Sequence, residues 1–296
     1  MREIDFIGRR ATALYLSTVL NLLVLCVIAI WGLRYGIDFA GGTDLEVSFT
    51  APVSADEVRS RMVSGGLRDV VVQRIGSGQS HGYLIHLRGE NVSNQALHAL
   101  AAGRTSPDFE VRRTDFVGPQ VGRQLRNKGI IAIVFAMLAI AGYVAFRFDF
   151  KFAPGALVAL IHDAIMVLGY YAIFRREFTL TSIAALLTVV GYSVNDKVVI
   201  FDRIREEMGR LRGKPLAAII NTAINKTLRR TFVTGGVTSL SLLGLVIFAT
   251  GDIFDFAMSM LIGIFVGTYS SIFIGSELTL WIDSLSKRRA LRPVTR

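Results

Sequence analysis

The sequence predicts an α-helical membrane protein: six transmembrane helices, with a periplasmic α+β insert of ferredoxin-like βαββαβ order between helices 1 and 2. Three observations lead there. The 296-residue chain is 52% hydrophobic and only 19% charged, which is unusual for a soluble globular domain. Its apolar residues gather in six runs long enough to cross a bilayer. Its basic residues cluster at the ends of those runs, mostly on one side.

Four runs carry no charge: Ala11 to Leu33, Gly129 to Phe146, Thr231 to Gly251, and Phe256 to Ser276, with the last helix expected to continue past Glu277 to residue 282. Two more, Phe152 to Phe174 and Phe178 to Phe201, are as long but contain His162 and Asp163, and Asp196 and Lys197. The first run is longer than a cleavable apolar region and lacks a small-residue cleavage motif, so it is expected to remain as an anchor. The expected layout is residues 1–10 outside the bilayer, helix 1 over 11–33, the insert over 34–128, a five-helix bundle over 129–283 with a loop at 202–230, and a basic tail at 284–296.

Orientation follows from Lys and Arg near the spans. One side holds Arg2, Arg9, Arg10, Arg147 and Lys151, eight basic residues from Arg203 to Arg230 and five from Lys287 to Arg296, 18 in all. The opposite short loops hold Arg175 and Arg176 alone, and Gly251 to Asp255 is acidic. Both termini are therefore expected on the cytoplasmic side of the membrane. The net charge of +10 is accounted for by this arrangement, so no nucleic-acid partner is expected. Cys26 is the single cysteine and says nothing about redox compartment.

Within the insert, GGTDLEVSFT reads as a strand and SADEVRSRMVSGG as a helix with Ser54 as N-cap and Glu57 at the capping-box position. DVVVQRI and GYLIHLR read as strands, NVSNQALHALAAG as a helix ending at Gly103, and DFEVRRTDF as a last strand. The glycine pair in DFAGGTDL reads as a turn into a strand. His81, His86 and His98 are not at metal-ligand spacing, and no nucleotide-binding loop or catalytic triad signature is present, so neither a metal nor an enzymatic activity is expected.

The informative residues are the charged ones inside the spans. At a helix centre Asp or Lys costs roughly 2.5 to 3.5 kcal/mol, while Leu or Ile returns about 0.3 to 0.6. Asp163, Asp196 and Lys197 must therefore face protein or water. Thr188, Tyr192 and Asp196 recur at four-residue intervals, with Ser193 and Asn195 alongside, as a polar stripe. Lys197 lies about 100° around the helix and pairs separately or snorkels. In the next span Thr227, Arg230, Thr234, Thr238 and Ser241 form a second stripe, which makes Arg230 the expected partner of Asp196. Two readings stand at this point: a static salt bridge, or a proton relay through Asp196 and Arg230 supported by Asn195, Tyr192, Thr227, Thr234 and Asp163.

YGIDFAGGTDLEVSF after the first span, VGPQVG before the second, IHDAIMVLG in the third, GYSVNDKVVIFDRIREE in the fourth and NKTLRRTFVTGG at the fifth together resemble the SecD/SecF family, in the resistance-nodulation-division superfamily. The resemblance covers nearly the whole chain. It implies an accessory subunit of the Sec protein translocase in a bacterial inner membrane that draws on the proton motive force during export, with protons as coupling ion and no other cofactor. In that family the carboxylate of the GYS-x-ND motif and the arginine of TL-x-RT are implicated in proton conduction, and they match Asp196 and Arg230. Lys197 stands where the family more readily carries Thr. The implied partners are SecD, the SecYEG channel and exported polypeptides, with YajC and YidC as further candidates. A passive scaffold and half of a small-molecule exporter are the alternatives.

Overall fold

The computed structural model describes residues 3–68, 70–75, 81–89, 92–102, 108–148, 150 and 152–290. Arg2, Lys151, Gly103 and the tail residues 291–296 lie outside the described residues. Among the described residues, six helices are long and apolar enough to cross a membrane. They are α1 (Arg10–Trp31), α5 (Pro119–Arg147), α6 (Ala153–Ile173), α7 (Leu180–Arg210), α8 (Leu216–Phe248) and a composite of α9 (Gly251–Ser270) and α10 (Ser276–Ala290) joined by a π-helical turn at Ser271–Gly275.

Several helices outrun the apolar stretches that announced them. α5 begins at Pro119, where proline at the first turn follows an extended Gly118, and its early turns carry Arg123, Arg126 and Lys128. α7 continues to Arg210 and α8 starts at Leu216, so most of the expected loop at 202–230 is helical. The cause is physical: charge ends the part of a helix that hydrocarbon tolerates, not the helix itself. A 31-residue α7 is about 46 Å long at 1.5 Å per residue, well beyond the ~30 Å hydrocarbon layer.

The insert consists of β2 (Gly42–Phe49), α3 (Ala55–Ser64), β3 (Val71–Ile75), β4 (Gly82–Leu87), α4 (Val92–Ala101) and β5 (Phe109–Val117). The sheet is antiparallel in the order β3-β4-β2-β5, which is the ferredoxin-like arrangement. Ser54 caps α3, its hydroxyl accepting from the Glu57 amide at 3.1 Å. Alternate residues of β2 and β4, including Leu45, Val47, Tyr83 and Ile85, meet Val58, Met62, Ala96 and Leu100 of the helices in a closed core.

Two seams join insert to bundle. β1 (Arg34–Tyr35) pairs in parallel with β6 (Glu177–Phe178) between α6 and α7, and the one-turn α2 (Ile37–Ala40) packs on α5. Gly41 and Gly42 have φ of +75° and +140°, and a Cβ on Gly41 would stand 2.8 Å from Pro119 Cα. The glycine pair is thus needed for both the turn and the close approach.

Within the bundle α6, α7 and α9 form the interior, and α1, α5 and α8 the periphery. Side chains such as Leu22, Phe135, Leu240 and Phe248 are exposed on the outer helices. The row Gly263, Gly267 and Ser271 packs inward on α7: a Cβ at Gly263 would fall 2.3 Å from Val189 Cγ2, and one at Gly267 would fall 2.8 Å from Ser193 Oγ. Small residues here let two backbones approach closely. Gly267→Leu is expected to cost about 2 kcal/mol or more through overpacking, seen as a lower melting temperature of the chain in detergent. An unchanged melting temperature would remove this contact from the account.

Candidate functional site

The three intramembrane charges flagged by their cost take two different arrangements. Asp163 of α6 and Lys197 of α7 are each fully buried and form an ion pair, Nζ to Oδ2 at 3.0 Å. Asp163 Oδ2 also accepts from Ser193 Oγ at 2.5 Å and Ser270 Oγ at 2.9 Å, while Oδ1 lies 3.0 Å from His162 Nδ1. Lys197 Nζ has Ser193, Ser270 and Ser271 hydroxyls at 2.5, 3.0 and 3.3 Å. A buried pair survives only when its remaining donors and acceptors are satisfied, and that condition is met here. Lys197 does not snorkel: it ties α7 to α6 and α9.

Asp196, the neighbouring residue, is placed differently. It is 4% exposed, and its carboxylate accepts one long hydrogen bond, from Thr268 Oγ1 of α9 at 3.3 Å. No ion pair joins it to Arg230, which corrects the expected pairing. Arg230 lies on the exposed side of α8 and acts on Asp196 only through longer-range attraction. The reason lies in geometry that spacing leaves open: α7 and α8 are adjacent, but the α8 stripe turns back on its own helix. Thr227 donates to Ala223 and Ile224 carbonyls, and Thr234 to Arg230 and Thr231 carbonyls, the familiar back-bonding of mid-helix hydroxyls. From the stripe itself one link crosses, Tyr192 Oη to Thr238 Oγ1 at 3.3 Å, and outside it Lys226 of α8 pairs with Glu207 of α7 at 2.8 Å. Asn195 is exposed and lines a cavity of about 540 Å³ with Arg147, Asp202, Lys226 and Arg230, at the end of the bundle where the basic residues gather.

Sequence reading did not find Thr268, Ser270 and Ser271 as partners of these charges. Of the three, only Ser271 carries a signal, as the next member of the four-residue row of Gly263 and Gly267.

A second cluster holds the insert against the bundle. His86 of β4 contacts the Asp44 carboxylate through Nδ1, and its Nε2 is 2.8 Å from Glu177 Oε2, though not aligned for a hydrogen bond. Gln73 donates to Glu177 Oε1 at 2.8 Å. Burial opposes the charged imidazole, but the Asp44 and Glu177 carboxylates outweigh it and raise His86 from 6.5 to about 9. A raised folded value means the stabilisation is complete below about pH 6.5 and is lost as pH climbs through about 9. The melting temperature should therefore fall between those values, and His86→Gln should flatten that part of the profile; an identical profile in the variant would exclude His86 as the cause.

With fold and site in view, the relatives agree. Residues 98–285 match the family model for the C-terminal part of the SecD/SecF protein export membrane proteins, and residues 28–53 match the SecD/SecF GG motif. The chain is 44% identical over 293 residues to the protein translocase subunit SecF of Magnetococcus marinus, covering 96% of this chain and 94% of that one. It is 36% identical to SecF of Pseudomonas aeruginosa, covering 96% and 93%. Among solved structures it resembles SecDF of Thermus thermophilus, a translocon-associated membrane protein, with a TM-score of 0.87 and 34% identity over 95% of this chain. It also resembles SecDF in a super-membrane-facing form, with a TM-score of 0.73 and 33% identity over 98% of this chain. The chain spans 39% and 40% of the length of those two SecDF chains. Six apolar helices, a ferredoxin-like insert entered through a glycine pair, and matches along almost the whole length lead to one conclusion: the chain belongs to the SecF subunits of the SecD/SecF family of protein export membrane proteins.

Proposed function

We propose that this chain, together with a SecD partner, uses the proton motive force to promote export of polypeptides across the cytoplasmic membrane, with Asp196 as the proton carrier. One observation supports this most directly. Asp196 is a nearly buried carboxylate in a membrane helix with one long hydrogen bond and no ion pair, whereas Asp163 nearby is fully compensated. An ionised carboxylate so poorly compensated is costly in the bilayer, so proton uptake is within reach of a change in its surroundings. The cavity lined by Asn195 and Arg230 reaches the residue next to Asp196 from the end of the bundle where the basic residues gather.

Arg230 is the counter-charge in this account. When Asp196 is ionised, α8 moves so that Arg230 approaches it; when Asp196 is protonated, Arg230 withdraws to the separated arrangement seen here. A bound proton shifts the equilibrium because the two arrangements bind it differently. The supply of energy is adequate, since a charge crossing the full potential is worth about 2.3 kcal/mol per 100 mV, roughly 40-fold in a population ratio. Movement is transmitted to the insert through α5 and the β1–β6 seam, where the insert could hold or pull an emerging chain. SecYEG is the channel this subunit would serve, with YajC and YidC as neighbours.

The orientation is part of the proposal: both termini cytoplasmic and the insert periplasmic. With Cys26 replaced, cysteine at Ser64, exposed on α3, should label only from the periplasm, and cysteine at Lys214, exposed between α7 and α8, only from the cytoplasm. Labelling of both from one side would overturn the map. The functional test is export into inside-out vesicles prepared with and without this chain: the part of export stimulated by a proton gradient should depend on the chain, and equal stimulation in both preparations would refute the proposal.

A further inference from the structure

We propose that Asp163, Ser193, Ser270 and Ser271 form a monovalent-cation site whose resident cation in this chain is the ammonium of Lys197. Four oxygens lie within 3.3 Å of Nζ, one more than the three N–H donors of an ammonium can serve. The hydroxyls send their own protons elsewhere. Ser193 Oγ donates to Asp163 Oδ2 at 2.5 Å and Ser271 Oγ to the Gly267 carbonyl at 2.6 Å. Ser270 Oγ donates to Asp163 Oδ2 at 2.9 Å or the Gly267 carbonyl at 3.1 Å. Each oxygen facing Nζ therefore turns a lone pair towards it, and no donor faces inward. This is the inner surface of an oxygen cage for a hard cation, with one carboxylate to balance one positive charge.

The backbone is shaped for the same purpose. The helix leaves α-helical register at Ser271, where the π turn begins, and two consecutive serines reach one point. π turns inside helices cluster at functional sites, and irregular helix turns lining buried membrane sites are where coupling cations are held. The cluster is dry, with Lys197 and Asp163 at 0% exposure, and helices α6, α7 and α9 all contribute. A tethered ammonium makes the cage independent of the salt around the protein.

The test uses the full chain in detergent, with melting followed in NaCl, KCl or choline chloride at constant ionic strength. Lys197→Ala should melt below the parent in choline and recover in NaCl or KCl with saturation, at concentrations about tenfold or more below any effect of choline. The parent should show no such salt specificity, and adding Asp163→Asn to Lys197→Ala should abolish the response. Lys197→Ser, which keeps a hydroxyl in the emptied space, is the second variant. Equal responses to the three salts, or a response that survives Asp163→Asn, would overturn the proposal. So would failure to recover either lysine variant folded in any of the salts, because a free cation must be able to stand where the ammonium stood. The readout is stability, so it is decided separately from whether Asp196 carries protons.

Discussion

Asp163→Leu should lower the stability of the chain by about 3 to 5 kcal/mol, the cost of leaving one member of a buried ion pair uncompensated. The side chain removed accepts hydrogen bonds from Lys197, Ser193 and Ser270, so the substitution strands a fully buried ammonium and frees two buried hydroxyls. Desolvation sets the size of the effect. Taking both charges away is a different operation: in Asp163→Leu/Lys197→Met no charge remains to be solvated, and apolar replacement of a buried pair is often neutral. The double variant should therefore recover most of the loss, and a melting curve for each member of the cycle gives the coupling energy. If the two single losses simply added, Asp163 and Lys197 would not be the unit that ties α6, α7 and α9 together.

Asp196→Asn should leave folding, insertion and SecD association intact and abolish gradient-dependent export. Asparagine has nearly the same size and keeps a carbonyl oxygen to accept from Thr268, but it cannot take up and release a proton. Its expected cost in stability is small because Asp196 makes no ion pair and one long hydrogen bond. The contrast with Asp163 is the important point. Adjacent positions on α7 carry one charge sealed in a satisfied cage and one carboxylate left nearly bare, and only the second can change state without dismantling the bundle. Arg230→Ala should resemble Asp196→Asn, since it removes the counter-charge of the ionised state.

Much of this was legible in the sequence, for identifiable reasons. Membrane helices announce themselves through length and apolarity, and the strand and helix periods of the insert are local patterns, so six spans and a βαββαβ order could be read without a structure. Asp163, Asp196 and Lys197 stood out because hydrocarbon penalises them. Gly263, Gly267 and Ser271 recur at four-residue spacing, so a small-residue row can be read from the sequence as well.

Partners were not legible. Asp163 and Lys197 lie on different helices, and spacing along one helix says which residues share a face without saying which helix that face meets. The same gap produced the expected Asp196–Arg230 pair: both stripes are real, but Thr227 and Thr234 satisfy themselves on their own backbone, and Arg230 turns outward. The π turn at Ser271–Gly275, which brings Ser270 and Ser271 to Lys197, departs from α-helical periodicity, so no period-based reading finds it. His86 and Glu177 are far apart in the chain and meet beside the β1–β6 pairing.

The most direct test of proton coupling at Asp196 is the export rate into inside-out vesicles carrying the parent chain or Asp196→Asn, each measured with the gradient intact and after a protonophore. The account predicts that the gradient accelerates export with the parent chain, and that Asp196→Asn runs at the protonophore-treated rate under both conditions. Gradient stimulation in Asp196→Asn equal to that of the parent would contradict it, and the intramembrane charges would then serve only to fix the packing of the helices.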